Sequence, residues 1–238
     1  MAAGSTGIRT ALLPKGATVS YEVLQSEPKV QASLATEGDE ATLRISATEE
    51  TEHALAFARL TLRQDEKLLS QVFPITVGAL PAFDDPGFTR DITGLWNSER
   101  EGTIAWTPEA GHLAPGCLEI SAPYNGRIVN WQQWYLRLKP NLPLYWSVWV
   151  KAEGLRLANC QIALARFGEG KWLGDTVLMG PGQCPKGDSE WVKLEGKINS
   201  DDWPEGFTNA ALYVDVWKAE GSEPEGRLLV DELDLWQP

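Results

Sequence analysis

Apolar and polar residues alternate with a period of two along most of this chain. In the first third five short runs do so: TVSYEVLQS, KVQASLAT, ATLRISAT, ALAFARLTLRQ and LLSQVFPITV. In ATLRISAT, Leu43, Ile45 and Ala47 fall on one side, and Thr42, Arg44 and Ser46 on the other. Successive side chains of an extended strand point to opposite faces, so this alternation predicts strands with one covered and one wet face. Polar turns such as TEGDE and ATEETEH separate them at sandwich spacing, which predicts a β-sandwich over residues 8–79. Glu49 to Arg63 also reads as a short helix, but no long 3.6-residue period is present. GALPAFDDPGF, Gly78–Phe88, holds two prolines after a glycine and reads as a stiff joint.

Residues 82–238 carry a second set of strand patterns: GCLEISA, WQQWYLRLK, LYWSVWVKA, NCQIALARF, EWVKLEGKI, AALYVDVW and RLLVDELDLW. Long turns between them, KPNLP and GPGQCPKGD among them, predict a jelly roll of two packed sheets. In LYWSVWVKA the even positions Leu144, Trp146, Val148 and Val150 form an apolar face, leaving Tyr145, Ser147, Trp149 and Lys151 outside. The same parity puts Trp134, Leu136 and Leu138 inside, and Trp131, Gln133, Tyr135 and Arg137 outside. It puts Leu212, Val214 and Val216 inside, leaving Tyr213, Asp215 and Trp217. Cys160, Ile162 and Leu164 go inward, Asn159 and Gln161 outward.

Composition sharpens this picture. All eleven tryptophans lie at or beyond Trp96, so the two halves are different modules. The outward sets combine flat rings with Gln, Asp and Arg. A sugar ring offers an apolar face of C–H groups and a belt of hydroxyls. Aromatic planes cover the first, and amides, carboxylates and guanidinium groups bond the second. The predicted ligand residues are therefore Trp131, Gln133, Tyr135, Arg137, Tyr145, Trp149, Gln161, Tyr213, Asp215 and Trp217. The plain alternative is burial, the usual fate of tryptophan. Trp96, Trp106, Trp172, Trp191, Trp203 and Trp236, beside turns or at strand ends, read as packing or rim residues.

A net charge of −12 argues against a nucleic-acid backbone or an anionic membrane surface, both of which need clustered Lys and Arg. A neutral or cationic ligand fits better. No apolar run reaches the ~20 residues of a membrane-spanning helix. MAAGSTGIRT lacks the charged and apolar regions of a signal peptide and reads as a start joined to an internal boundary, which implies a fragment. Cys117, Cys160 and Cys184 leave two options open: one disulfide, with Cys160–Cys184 the first choice, or three plain thiols. His53 and His112 are the only histidines, too few for a zinc cluster.

The segment 8–79 resembles bacterial immunoglobulin-like domains in its ATLRISA strand and closing QVFPITV strand, which implies a spacer or support. From residue 82 on, FDDPGF…LW, PGCLEIS, LRLKPNLPLYWSVWVKA, ARFGEGKWLGD, EWVKLEGKI and LLVDELDL follow in an order that resembles carbohydrate-binding modules with the galactose-binding-like jelly-roll fold. The resemblance implies a non-catalytic module that binds a polysaccharide or oligosaccharide, in an extracellular or cell-surface protein whose parent chain carries a catalytic domain. It also implies a structural calcium, for which Asp84, Asp85 and Asp231 are the matching acids. The same fold serves purely structural modules, so a β-sandwich pair with no ligand of its own is the other reading. Catalysis has little support: Glu232 and Asp234 lie two apart, but no third acid of a series follows. Nucleophile elbows and phosphate loops are absent.

Overall fold

The structure is a computed structural model that describes residues 6–25, 29–47, 51–79, 81–82, 85–91, 103–121, 129–133, 136, 138–219 and 225–238. The chain divides into two compact units, Met1–Leu80 with Pro238, and Pro81–Gln237. Both are built from antiparallel strands, as the two-residue period predicts. A 3-10 turn at Ser200–Asp202 is the one helical element among the described residues.

In the first unit, β1 (Thr6–Leu12), β4 (Glu40–Ala47) and β3 (Val30–Glu37) form one sheet in that order. The other runs β2 (Thr18–Leu24), β5 (His53–Gln64), β6 (Lys67–Gly78). Leu43 and Ile45 turn inward and pack with Val30 against Ala56, Ala58, Ile75 and Val77 of the opposite sheet. The helical option for 49–63 gives way to β5, which pairs residue by residue with β6 from His53–Gly78 to Gln64–Lys67. Gly78 closes this ladder at φ +80°, where a Cβ would stand 2.0 Å from the carbonyl oxygen of Glu52.

The second unit is a sandwich of a five-stranded and a four-stranded sheet. The five-stranded sheet runs β13 (Val192–Ile198), β10 (Leu144–Arg156), β15 (Glu225–Trp236), β8 (Cys117–Ser121), β7 (Thr103–Thr107). The four-stranded sheet runs β12 (Lys171–Met179), β11 (Ala158–Gly168), β14 (Asn209–Lys218), β9 (Val129–Gln133). Val148, Val150 and Val230 from one sheet meet Ile162, Leu164, Leu212 and Val214 from the other in one core. Trp146 fits inside because Gly196, its cross-strand neighbour, leaves room: a Cβ there would meet the indole at 2.7 Å. Cys160 and Cys184 are joined, tying β11 to the loop before β13 across a sequence separation of 24. A link of that length stabilises the fold by about 3 kcal/mol through the unfolded chain.

Candidate functional site

The ten predicted ligand residues do not share one surface. Tyr145 and Trp149 lie on β10 of the five-stranded sheet, whereas Trp131, Gln133, Gln161, Tyr213, Asp215 and Trp217 lie on β9, β11 and β14 of the other. The chain crosses from one sheet to the other between β9 and β10 and again between β10 and β11, and a strand's own alternation carries no record of that.

Backbone pairing places β9 beside β14. The register pairs Trp131 with Val214 and Gln133 with Leu212, the inward set of β14, while Asn130 and Gln132 pair with Asp215 and Tyr213. Beyond β9, Leu136 donates its N–H to the Ala210 carbonyl (3.1 Å). The side chains of Trp131 and Gln133, and all of Tyr135 and Arg137, lie outside the described residues.

The outer face of the four-stranded sheet gathers the remaining candidates. Across β11 and β14 the register pairs Asn159 with Trp217, Gln161 with Asp215, Ala163 with Tyr213 and Ala165 with Ala211. Across β11 and β12 it pairs Ala163 with Val177, Ala165 with Asp175 and Phe167 with Trp172. Ala163, Ala165, Ala211 and Tyr213 are buried and, with Phe167, form an apolar cluster separate from the main core. Three alanines make a low floor. Strands lie about 4.8 Å apart, so a side chain on β14 has to span about 10 Å to meet β12. With only methyl groups on β11 beneath it, Tyr213 lies on the same face as Asp175. Burial first, then the neighbouring Asp175 carboxylate and the charge of Asp215, push the phenol well above its ordinary pKa, so it stays neutral.

Beside Tyr213, Gln161 Nε2 donates to Asp215 Oδ2 at 2.9 Å, and Asp215 is buried. At the edge, Trp172 is 62% exposed, and its indole Nε1–H donates to Asp175 Oδ1 at 2.8 Å. Arg166 anchors this edge strand by donating to the carbonyls of Gly174 (3.3 Å), Asp175 (3.2 Å) and Asp202 (3.4 Å). Trp217 is half-buried at the other end of the face. The surface thus offers a tethered indole at its rim and a phenol beside an amide–carboxylate pair on its floor. Trp172 reads in the sequence as packing or rim, and its rim position emerges here. Asp175 was missed altogether, since an acid next to a glycine in a hairpin looks like a solvated turn.

On the outer face of the five-stranded sheet the rings already stack on protein. Tyr145 stacks on Trp236 (centroids 4.5 Å apart, planes 13° apart), and Lys197 Nζ lies 5.3 Å from the Tyr145 centroid. Trp149 stacks on His112 at 3.6 Å and 21°, and Trp191 meets His112 edge-on at 6.1 Å. His112 is held in turn: Nδ1 lies 2.8 Å from Glu232 Oε1, and its backbone N–H donates to Asp231 Oδ2 at 2.7 Å. Farther along, Arg227 bridges Glu119 (2.7 Å) and Glu153 (2.5 Å), and Lys151 lies 2.9 Å from Glu153. The Lys151 bond, then that of Arg227, holds the Glu153 carboxyl below its ordinary range.

The acids expected at a calcium site are engaged by protein donors. Asp85 Oδ1 accepts from the Thr89 N–H (3.0 Å) and hydroxyl (2.9 Å), and Oδ2 from the Arg90 N–H (3.2 Å). Asp231 is fully buried and accepts from the backbone of His112 and Glu232, each at 2.7 Å. Asp84 lies outside the described residues. Among the described residues no group of three metal-binding side chains converges. Glu232 is the extra residue of a β-bulge at φ 45°, which breaks its alternation with Asp234. Cys117 is buried, and burial, then the charge of Asp231, pushes its thiol up to about 12, far from a thiolate.

No protein-family model matches this sequence, and no curated protein does. Solved structures do. The enzymatically active domain of tailspike protein 4 from bacteriophage CBA120 aligns over 68% of this chain and 22% of its own length, with TM-score 0.50 and 11% identity. The chain therefore spans about a fifth of that protein, and at this identity the likeness is one of fold. The CBM22-1 xylan-binding domain of Xyn10C from Paenibacillus barcinonensis aligns over 63% of this chain and 90% of its own, at 18% identity and TM-score 0.46. The CBM22-1–CBM22-2 tandem domain of the same protein aligns over 98% of this chain and 77% of its own, at 16% identity and TM-score 0.45.

Proposed function

We propose that the second unit is a non-catalytic carbohydrate-binding module whose ligand lies along the outer face of the four-stranded sheet. The observation that carries this reading is Trp172, an indole 62% exposed yet tied down at its N–H, beside a floor of buried polar groups. An immobilised flat ring loses little freedom when a sugar stacks on it, which favours binding. Trp172 and Trp217 are the stacking rings of this reading. Tyr213, Asp215 and Gln161 are its hydrogen-bonding groups, and Tyr145 and Trp149 leave the set because protein rings occupy them. With the net charge of −12, the face suits a neutral glycan. The first unit acts as an immunoglobulin-like spacer. The chain is a piece of an extracellular or cell-surface protein that carries a polysaccharide-degrading domain, and the Cys160–Cys184 disulfide fits an oxidising compartment.

A ligand-free structural pair is the competing reading, favoured by the stacking on the five-stranded sheet. Affinity electrophoresis through gels containing soluble xylan, mixed-linkage glucan, mannan or galactan separates the two. The module reading expects retardation in at least one gel, lost in Trp172→Ala. Free migration in every gel favours the structural pair.

A further inference from the structure

The edge strand β12 breaks its own alternation between Trp172 and Asp175, and that break decides what it presents. Trp172 pairs with Phe167 and Asp175 with Ala165, so Leu173 and Gly174 together stand opposite Arg166 alone. Two residues facing one make a β-bulge. Leu173 packs on the main core, whereas Phe167 and Ala165 belong to the apolar cluster of the outer face. In an unbroken strand Asp175 would share the inward side with Leu173. The extra residue returns it to the side of Trp172, where the indole can reach it. Two features hold the bulge. Gly174 sits at φ +102°, where a side chain is strained, and a Cβ there would stand 3.2 Å from Arg166 Nη2. A bulge also leaves backbone groups outside the ladder, and these need partners. Arg166, the residue opposite, supplies them. Its Nε donates to the Gly174 carbonyl (3.3 Å), Nη2 to that of Asp175 (3.2 Å) and Nη1 to that of Asp202 (3.4 Å). Asp202 is fixed in turn, since its Oδ2 accepts the Asn199 N–H at 2.9 Å. One guanidinium fork thus ties the bulge to the loop between β13 and β14.

We infer that Gly174 and Arg166 are positioning residues of the carbohydrate face: the bulge they form and hold aims the rim indole. This rests on the reading of that face as the ligand site. Arg166 lies between the outward Ala165 and Phe167, so its side chain leaves β11 on the other side and acts on the ligand only through β12. Bulges beside binding sites re-aim side chains, and bulges on edge strands also keep the edge from pairing with another chain. Edge protection needs only the extra residue. The Arg166 fork adds immobility, which a platform for a stacked sugar uses and a blunted edge does not. The two roles therefore differ in what they change: protection acts on assembly, positioning on affinity.

The test compares wild type with Arg166→Met, Arg166→Lys, Gly174→Ala and Trp172→Ala. Each migrates through gels containing soluble xylan, mixed-linkage glucan, mannan or galactan, and exchange of the indole N–H protons is followed by NMR. Trp172→Ala identifies the Trp172 signal by its disappearance. Sedimentation reports the assembly state, and thermal unfolding shows which variants are folded. Arg166→Met keeps the apolar stem and removes the donors. The expected result in Arg166→Met and Gly174→Ala is faster exchange of the Trp172 proton and glycan affinity weakened roughly ten-fold, the scale of one misaligned stacking ring. Both should keep the assembly state of wild type. Arg166→Lys retains a cation that can reach one of the carbonyls and should recover part of both losses. If Gly174→Ala does not fold, the two Arg166 variants decide the matter. Affinity and Trp172 exchange unchanged in folded Arg166→Met would overturn the positioning role. So would self-association of Gly174→Ala with its affinity intact, which assigns the bulge to edge protection alone. Failure of the underlying reading looks different: wild type migrates freely in every gel, or Trp172→Ala is retained as wild type is, while the indole proton still exchanges faster in Arg166→Met.

Discussion

The two outer faces of the jelly roll are built from the same kinds of residue and use them in opposite ways. On the five-stranded sheet, Tyr145 and Trp149 are covered by Trp236 and His112, with Lys197 over the Tyr145 ring as well. On the four-stranded sheet, Trp172 stands out from the edge, and its nearest polar partner grips the indole nitrogen rather than the ring face. A ring already stacked on protein contributes to stability. One held only at its N–H keeps its planes for something else. Counting aromatic residues on a strand's outer side therefore says little about binding until the neighbours of each ring are known.

Substitutions at the most contrasted pair should separate the two faces most sharply. Trp172→Ala is expected to abolish polysaccharide retention, a loss of affinity of about ten-fold or more, ~1.4 kcal/mol for each factor of ten. Its melting temperature should stay near that of wild type, because the side chain is largely exposed. Trp149→Ala should do the reverse, lowering stability by about 2–4 kcal/mol as the His112 stack is lost. Retention should persist, as read by chemical unfolding and the same gels. If Trp149→Ala loses retention while remaining folded, the contrast between the faces collapses.

Tyr213→Phe makes a gentler cut within the proposed ligand face. It removes the buried hydroxyl and leaves the ring on its alanine floor. Affinity should drop several-fold, with a stability change within about 1 kcal/mol, the scale of one hydrogen-bonding group.

The ionic cluster on the five-stranded sheet should matter least. The carboxyl of Glu153 is held below its ordinary range by Lys151 and Arg227, so its contribution is present above the ordinary glutamate range. It disappears as pH falls through the lowered value. Glu153→Gln should thus cost under about 1 kcal/mol at neutral pH, because the pair is partly exposed and screened. The difference from wild type should vanish in acid and shrink in high salt, and urea unfolding across a pH series measures it. Calcium added after chelation should leave the melting temperature unchanged. A rise on adding calcium would instead make Asp84, Asp85 and Asp231 a cation site.

Much of the architecture was legible beforehand. Leu43 and Ile45 in β4, the even positions of β10, and Cys160, Ile162 and Leu164 in β11 turn inward as their alternation predicts. Hydrophobic burial acts on each strand separately, and a period of two is visible without neighbours.

The sequence by itself determined that this is an all-β chain of two modules, with its tryptophans confined to the second and a net charge of −12. It also contained the inward and outward sets of most individual strands. Only the tertiary structure decided which strands share a sheet, and so which outward residues meet. Register between strands distant in sequence put Asp175 on the face of Tyr213 and left Trp172 exposed, while a loop brought His112 onto Trp149. Alternation along one strand reports how that strand divides between oil and water. Which rings meet a ligand depends on contacts between strands, and no single strand's pattern encodes its neighbours.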